Sequence, residues 1–197
     1  MSVRNSYCTS DYIPWDTMLA LVHKLYRDGD YRMSLLLGCG CFFGLRISDL
    51  LTLNWAMLLD GDEFVVTEKK TKKRREIQIN SNFQKHIQDC YNSLNVKDRN
   101  EECFISQKHC VYSIQRINVK FKEIKKKYGL RIEHFSTHSM RKTFGRKIYE
   151  SASANGNGDM ALLKLSELFN HSDIRTTKIY LGIRKEELKE AYVLLDF

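Results

Sequence analysis

The sequence has few of the residues that interrupt or cross-link a chain. Its 197 residues include one proline and ten glycines, which excludes collagen-like and proline-rich architectures. The longest apolar run, residues 35–45, is about half as long as a membrane-spanning helix requires. No charged segment followed by an apolar one opens the chain, so we expect neither a secretion signal nor a membrane partner.

Cysteines are present, but not in the spacing of a metal site. The six form no CxxC pair, and Cys39 and Cys41 lie within the apolar run, where a free cysteine behaves as a small hydrophobe. Cys103, His109 and Cys110 fall close together but lack a fourth ligand at suitable spacing, so we expect no metal ion. Free thiols without a signal peptide indicate a reducing cytoplasm.

What the sequence does have is apolar residues and positive charge. Hydrophobic residues make up 43% of the chain and aromatic residues 11%, which is enough for a folded core in one domain of this length. Lysine and arginine number 32 and acidic residues 24, so the net charge is 32 − 24 = +8. A basic domain of this size binds nucleic acid or an anionic surface, or is simply a basic soluble protein.

Periodicity predicts a mainly helical fold with one small antiparallel β-sheet, an α+β class. Residues 1–13 form a polar leader or linker. Apolar residues recur at helical spacing over 14–27, 31–43, 47–53, 81–94, 112–128, 138–150, 159–169, 174–181 and 184–194. Alternating segments predict strands over 63–67 and 76–80, with a third over 55–58. Thr137 is predicted to cap the helix that follows it, and Ser172 or Asp173 the helix near residue 174.

A basic run joins the first two predicted strands. Residues 69–75, KKTKKRR, contain six basic side chains in seven. We expect the run to contact the phosphates of a nucleic acid, which gives affinity without sequence selectivity; the alternative is a solvated turn. The residues assigned to this contact are Lys69, Lys72, Lys73, Arg74 and Arg75.

Three short motifs carry the candidate chemistry. Arg46 lies in GLRISDLL just after the apolar run, where it binds an anion or pairs structurally with Asp49 or a helix C-terminus. His138 and Arg141 share one face of a helix N-terminus, a position suited to phosphate. In FNHSDIRTTKIYLGI, His171 precedes Tyr180 by nine residues. Each motif taken alone is compatible with a purely structural role.

Taken together, these motifs resemble the catalytic domain of tyrosine recombinases, the phage-integrase family. The resemblance spans about residues 14–197. The segment FNHSDIRTTKIYLGI is most similar to integrases of bacterial phages and conjugative transposons. The resemblance implies the fold of a DNA breaking-rejoining enzyme. The catalytic set it implies is Arg46, Lys70, His138, Arg141, His171 and the nucleophile Tyr180. Relatives carry this lysine at the end of the first hairpin strand, often before Thr or Gly, which favours Lys70 in Lys70-Thr71. Lys72 is the alternative.

The resemblance also implies a reaction. The chain would cleave and rejoin strands of double-stranded DNA through a 3′-phosphotyrosyl link, with no cofactor, metal or ATP, as a homo-oligomer (a tetramer) on paired sites in a bacterial cytoplasm or nucleoid. Complete family members have a helical core-binding domain before the catalytic one, and only 13 residues precede the first helix here. The alternatives are a type IB topoisomerase-like enzyme, a DNA-binding module with a degenerate site, and a purely structural or interaction protein.

Two further features bear on this interpretation. Relatives often have Leu-Gly before the residue that matches His171, whereas this chain has Phe169-Asn170. In the tail, Leu188, Tyr192 and Leu195 form one apolar helical stripe. This stripe packs on its own domain or, as in the family, docks on a neighbouring protomer.

Overall fold

A computed structural model describes residues 10–193 of the protein. The elements in chain order are α1 (Trp15–Arg27), α2 (Tyr31–Phe43), α3 (Ile47–Leu50), α4 (Trp55–Leu59), β1 (Glu63–Thr67), β2 (Arg74–Gln78), α5 (Ser81–Ser93), α6 (Ile114–Tyr128), α7 (Thr137–Ser153), α8 (Gly158–Phe169), α9 (Ile174–Leu181) and α10 (Ile183–Val193). The predicted mainly helical layout with one antiparallel hairpin is confirmed. Among the described residues, no helix is long and apolar enough to cross a membrane.

Helix α2 forms the centre of the larger core. It is apolar on nearly all sides, as a helix surrounded by others must be, and it packs against α1, α5 and α7. Gly40 permits the close approach of α7, because a Cβ there would lie 2.3 Å from the sulfur of Met140. The apolar run of the sequence is therefore the buried core helix.

A second, smaller apolar cluster lies in the C-terminal part of the chain. It joins α8, α9 and the start of α10 through Leu162, Leu165, Phe169, Leu181 and Ile183. This cluster is separate from the larger core, which contains the buried residues of α1–α6 and the hairpin. The His171–Tyr180 motif therefore lies on a different packing unit from Arg46.

Two of the predicted strands need correction. The predicted strand over 55–58 is wrong: these residues are in α4, where the Asn54 side chain accepts a hydrogen bond from the Met57 amide (2.9 Å) and Trp55 and Leu58 are buried. Strand β2 begins two residues earlier than predicted and pairs with β1 in the register Glu63–Gln78 to Thr67–Arg74. The last two residues of the basic run therefore belong to a strand, not to the turn.

Candidate active site

One open pocket brings the predicted catalytic set together. Its volume is about 410 Å³, and its lining includes all six predicted side chains: Arg46, Lys70, His138, Arg141, His171 and Tyr180. They come from the α2–α3 connection, the hairpin turn, α7, the α8–α9 connection and α9. Residues separated by up to 134 positions in the sequence (180 − 46) thus share one cavity.

Arg46 is held by two acceptors from distant parts of the chain. Its Nη1 donates to Glu68 Oε2 (2.6 Å) and its Nη2 to the carbonyl of Phe169 (3.0 Å). Of the two structural alternatives, the pair with Asp49 is wrong, because Asp49 accepts the amide of Lys69 instead (2.9 Å). The contact with a helix C-terminus is confirmed, since Phe169 is the last residue of α8. A guanidinium has five N–H donors, so these contacts leave donors of Arg46 for a ligand in the pocket.

Arg141 is the more deeply buried of the two arginines. Its Nη1 donates to the carbonyl of Gly44 (2.6 Å), and its guanidinium lies 4.2 Å from the centroid of the Phe169 ring. Burial lowers the pKa of Arg141 to about 10, so the side chain is still a cation at neutral pH. The ring face offers an attraction of electrostatic origin that holds a cation without neutralising it.

His138 stands at the exposed start of α7. The helix is capped by Ser136 and not, as predicted, by Thr137: Ser136 Oγ accepts the His138 amide (3.2 Å), while Ser139 Oγ accepts the Ser136 amide (3.1 Å). Thr137 is buried and donates its own amide to Asn118 of α6. Desolvation, together with the nearby Lys142 and Arg141, lowers the pKa of His138. The neutral imidazole is therefore favoured at neutral pH.

Tyr180 lies near the C-terminal end of α9. This helix is capped by Asp173, one of the two predicted alternatives, whose Oδ1 accepts the Thr176 amide (2.6 Å). The Tyr180 hydroxyl is buried and has no hydrogen-bond partner among the described residues. Burial raises the pKa of Tyr180 to about 12, while the charges of Arg141 and Arg46 act in the opposite direction. A buried, unpartnered hydroxyl in a cationic pocket is suited to react with an incoming anion.

His171 is fixed beside the tyrosine. Its Nδ1 lies 2.9 Å from Thr177 Oγ1, and its ring meets that of Tyr180 edge-on at 5.3 Å. Asn170 just before it has a left-handed φ of +53°, a conformation that Asn tolerates better than most residues. This explains how Asn replaces the glycine expected at this position.

The hairpin directs Lys70 into the pocket and the other cations elsewhere. Lys72 adopts a positive φ of 60° in the turn and does not line the cavity, while Lys69, Lys73 and Arg74 are exposed. Lys73 Nζ donates to Asn170 Oδ1 (2.8 Å). Arg75 points inward and donates to the carbonyl of Phe43 (2.8 Å). Contact between the five predicted DNA-binding residues and a ligand stays a prediction.

Two residues of the site were not identified as functional from the sequence. The Glu68 side chain is the anionic partner of Arg46, and Phe169 contacts Arg46 through its carbonyl and Arg141 through its ring. The strand pattern could have predicted that Glu68 is buried. Phe64 and Val66 are buried at alternate positions, and the same period places Glu68 inward. A buried acidic residue at a strand end indicates a cationic partner.

The comparisons with known proteins agree with one another. Residues 15–187 match the profile of the phage integrase family. The chain is 32% identical over 150 residues to the probable integrase/recombinase YoeC of Bacillus subtilis, a match covering 75% of this chain and 76% of that protein. It is 27% identical over 170 residues to the tyrosine recombinase XerC of Caldanaerobacter subterraneus, covering 84% of this chain but 44% of that protein.

Solved structures show the same fold. The XerA recombinase matches with a TM-score of 0.67 at 20% identity, covering 98% of this chain and 68% of that chain. The Tn1549 transposon integrase in complex with a circular-intermediate DNA matches with a TM-score of 0.66 at 17% identity, covering 95% and 68%. The lambda integrase catalytic core matches with a TM-score of 0.58 at 17% identity, covering 80% and 91%.

Proposed function

Because the chain belongs to the phage integrase family and has the fold of recombinase catalytic domains, we propose that it catalyses site-specific cleavage and rejoining of DNA. The observation that supports this best is the convergence of six chemically matched side chains on one pocket around the buried hydroxyl of Tyr180. We further propose that residues 14–197 form the catalytic domain.

The substrate is double-stranded DNA. Structural neighbours that bind DNA support this, among them the XerH recombinase bound to its difH substrate and the Tn1549 integrase complex. The net charge of +8 and the exposed cations of the hairpin also favour a polyanion. Lys69, Lys72, Lys73 and Arg74 contact the DNA backbone in this proposal, and Arg75 supports the site from inside.

The reaction is a transesterification. The Tyr180 oxygen forms a bond to the scissile phosphorus as the bond from phosphorus to the 5′-oxygen breaks. The phenolic proton passes to His138, and the 5′-oxygen takes a proton from Lys70, so that a 3′-phosphotyrosyl link and a free 5′-hydroxyl result. The reverse reaction with another 5′-hydroxyl rejoins the strands without ATP, because the link conserves the phosphodiester bond energy.

The two arginines stabilise the transition state. Negative charge accumulates on the nonbridging phosphate oxygens, and Arg46 and Arg141 are already fixed before the ligand arrives. Preorganised donors of this kind do not have to reorient as the reaction proceeds, which makes their electrostatic contribution large. His171 is held beside Tyr180 and completes the polar wall of the pocket.

The proposed mechanism uses no metal or cofactor. Its groups are guanidinium, ammonium, imidazole and phenol, and the nearby carboxylate of Glu68 already binds Arg46. The proton donor and the charge stabiliser are therefore both organic cations, which perform the tasks that a metal ion performs in other nucleases.

Assembly and location are part of the same proposal. Leu188 and Tyr192 on α10 are 54% and 79% exposed, while Leu195 of the predicted stripe lies outside the described residues. The stripe does not pack on its own domain at these two positions, which favours docking on a neighbouring protomer in a tetramer on paired DNA sites. A bacterial cytoplasm or nucleoid is where such a reaction would take place.

The proposed function is tested by covalent trapping. A labelled, nicked duplex library with randomised sequence loses the short strand after cleavage, so the protein–DNA adduct persists and is seen on a denaturing gel. We expect an adduct with the native chain, none with Tyr180→Phe, and full yield in excess EDTA. The matched control is Tyr192→Phe, on the exposed face of α10.

Each other outcome selects an alternative. If Tyr180→Phe forms an adduct and Tyr192→Phe does not, the nucleophile is Tyr192. Salt-sensitive DNA binding without any adduct would indicate a non-enzymatic binding module, and absence of DNA binding an interaction protein. Relaxation of supercoiled plasmids with no preferred site would indicate a type IB topoisomerase-like enzyme, and loss of the adduct in EDTA with recovery in magnesium would overturn the metal-free mechanism.

A further inference from the structure

We propose that Glu68 and Thr71 are positioning residues that hold Lys70 at a fixed place relative to Arg46. The inference rests on the proposed function, in which Arg46 binds the scissile phosphate and Lys70 protonates the leaving oxygen. It concerns two side chains that lie on either side of Lys70 in the sequence and act on it through the shape of the hairpin turn.

The turn itself is short and closed by the backbone. The Glu68 amide donates to the Lys73 carbonyl (3.0 Å), and the Lys72 amide donates to the Glu68 carbonyl (2.9 Å). Lys70 lies in the middle of this loop, with its side chain in the pocket. The backbone closure fixes the ends of the loop but provides no contact to residue 70 itself.

A single carboxylate oxygen connects the turn to the arginine. Glu68 Oε2 accepts both Arg46 Nη1 (2.6 Å) and Thr71 Oγ1 (2.7 Å). Glu68 is 3% exposed, and a buried charge is stable only when it is paired and hydrogen-bonded. Burial alone would raise the pKa of Glu68, but the hydrogen bonds from Thr71 and Arg46 outweigh it and the pKa is lowered.

A second contact holds the other side of the loop. The Lys69 amide donates to Asp49 Oδ1 (2.9 Å), and Asp49 lies in α3, which begins directly after Arg46. Lys70 is thus flanked by two held residues, Lys69 through the backbone and Thr71 through its hydroxyl. Both contacts lead back to the segment that carries Arg46.

The consequence concerns the general acid specifically. If Thr71 loses its hydroxyl, Lys69 and the backbone-closed ends of the loop are still held, but residue 71 loses its bond to Glu68. The Lys70 ammonium then samples positions away from the leaving oxygen. Arg46 keeps its bond to Glu68, so phosphate binding is preserved. The defect therefore appears in protonation of the leaving group and not in DNA affinity.

The test compares two substrates that differ in their need for an acid. In one the leaving atom is the natural 5′-oxygen, and in the other it is sulfur, which leaves without protonation. We expect Thr71→Val to cleave the oxygen substrate about 10-fold more slowly than the native chain, and the sulfur substrate within about twofold, since a general acid contributes roughly 10²- to 10⁴-fold. Thr71→Ser, which retains the hydroxyl, should restore most of the rate on oxygen.

The matched control is Thr67→Val, the same substitution at an exposed position on β1 of the same hairpin, which should behave as the native chain on both substrates. Equal slowing of Thr71→Val on oxygen and sulfur, or no slowing on either, would overturn the positioning role while leaving the proposed function intact. Absence of cleavage by the native chain on both substrates would overturn the proposed function, and this inference with it.

Discussion

At the scale of single residues, the site is organised around Phe169. Its carbonyl accepts Arg46 and its ring lies under Arg141, and the same ring meets the edges of His171 (5.4 Å) and Tyr180 (5.6 Å). Phe169 is fully buried, so its position is set by packing and not by solvent. One apolar residue thereby fixes the geometry among four polar ones.

The hairpin turn contains two lysines that could act as the acid, and they are distinguishable. We expect Lys70→Ala to slow cleavage by about 10²-fold or more, because only Lys70 lines the pocket, while Lys72→Ala weakens DNA binding alone. The sulfur-leaving substrate should rescue Lys70→Ala selectively in single-turnover assays. Rescue of Lys72→Ala instead would shift the assignment by two residues along the turn.

In the proposed mechanism, the protonation of His138 sets the acidic limit of activity. The pKa of His138 lies below its ordinary value of 6.5, and only the neutral imidazole accepts the phenolic proton. Cleavage should therefore be insensitive to pH near neutrality and decline only as pH falls below about 6.5, with kcat/KM reporting the free enzyme.

His138→Gln is the control, and should lose this acidic limb because glutamine does not titrate. A decline that begins above pH 6.5 in the native chain, or an unchanged acidic limb in His138→Gln, would assign the titrating group to another residue.

At the scale of elements, the helices could be predicted from the sequence and several details could not. Helical spacing located α1, α2 and α9 to within one residue. The segment at 55–58 is too short for its period to distinguish helix from strand, and the decisive signal was the Asn54 cap. Ser136 and Thr137 are both good caps, and the structure uses Ser136, while Thr137 donates its amide to Asn118 of another helix.

In the site, too, features set by neighbouring residues could be predicted and contacts between distant residues could not. The identities of Arg46, His138, Arg141 and Tyr180 could be proposed from motifs, because each motif is contiguous. The partner of Arg46 could not, because Glu68 is 22 residues away and its contact exists only after the hairpin has packed. Sequence reasoning proposed the groups that line the pocket and missed Glu68 and Phe169, which hold them.

Packing between elements gives a prediction at Gly145 of α7. A Cβ there would lie 2.7 Å from a methyl of Leu181 and 3.0 Å from the Phe169 ring. Overpacking costs about 1–3 kcal/mol and the gain in helix propensity is at most about 1 kcal/mol. Gly145→Ala should thus lower the free energy of unfolding by about 1 kcal/mol in urea titrations and reduce adduct yield.

The comparison variant for Gly145 is Gly61→Ala. Its nearest contact to an added Cβ is 3.8 Å, so stability should change by no more than about 0.5 kcal/mol. If both variants had the same free energy of unfolding, α8 and α9 would accommodate the added methyl group without loss of stability, and the prediction would be wrong.

At the scale of the whole molecule, the proposed catalytic groups are divided between two packing units. Arg46 follows directly on the large core at Leu45, whereas Tyr180 packs on the five-residue cluster of Leu162, Leu165, Phe169, Leu181 and Ile183. Since opening free energies follow buried apolar contact, the smaller unit should open more often. Tyr180 would then leave the pocket, while Arg46 loses its contact with the Phe169 carbonyl and keeps its bond to Glu68.

Hydrogen exchange tests this division. Amides of α8 and α9 should exchange about tenfold or more faster than those of α2 in the free chain, and Leu165→Ala should accelerate only the former. Indistinguishable protection across the three helices would show that the two units open as one.

The central position of Phe169 has a consequence over evolutionary time. Its ring fits because residue 145 has no side chain, and its carbonyl serves Arg46 whatever the side chain is. The effect of a substitution at either position therefore depends on the residue present at the other. We expect the residues at positions 145 and 169 to covary among relatives. Lineages that carry leucine at the position of Phe169 would have a gap beneath Arg141, which a larger residue at the position of Gly145 could fill, so neither substitution is neutral until the other has occurred.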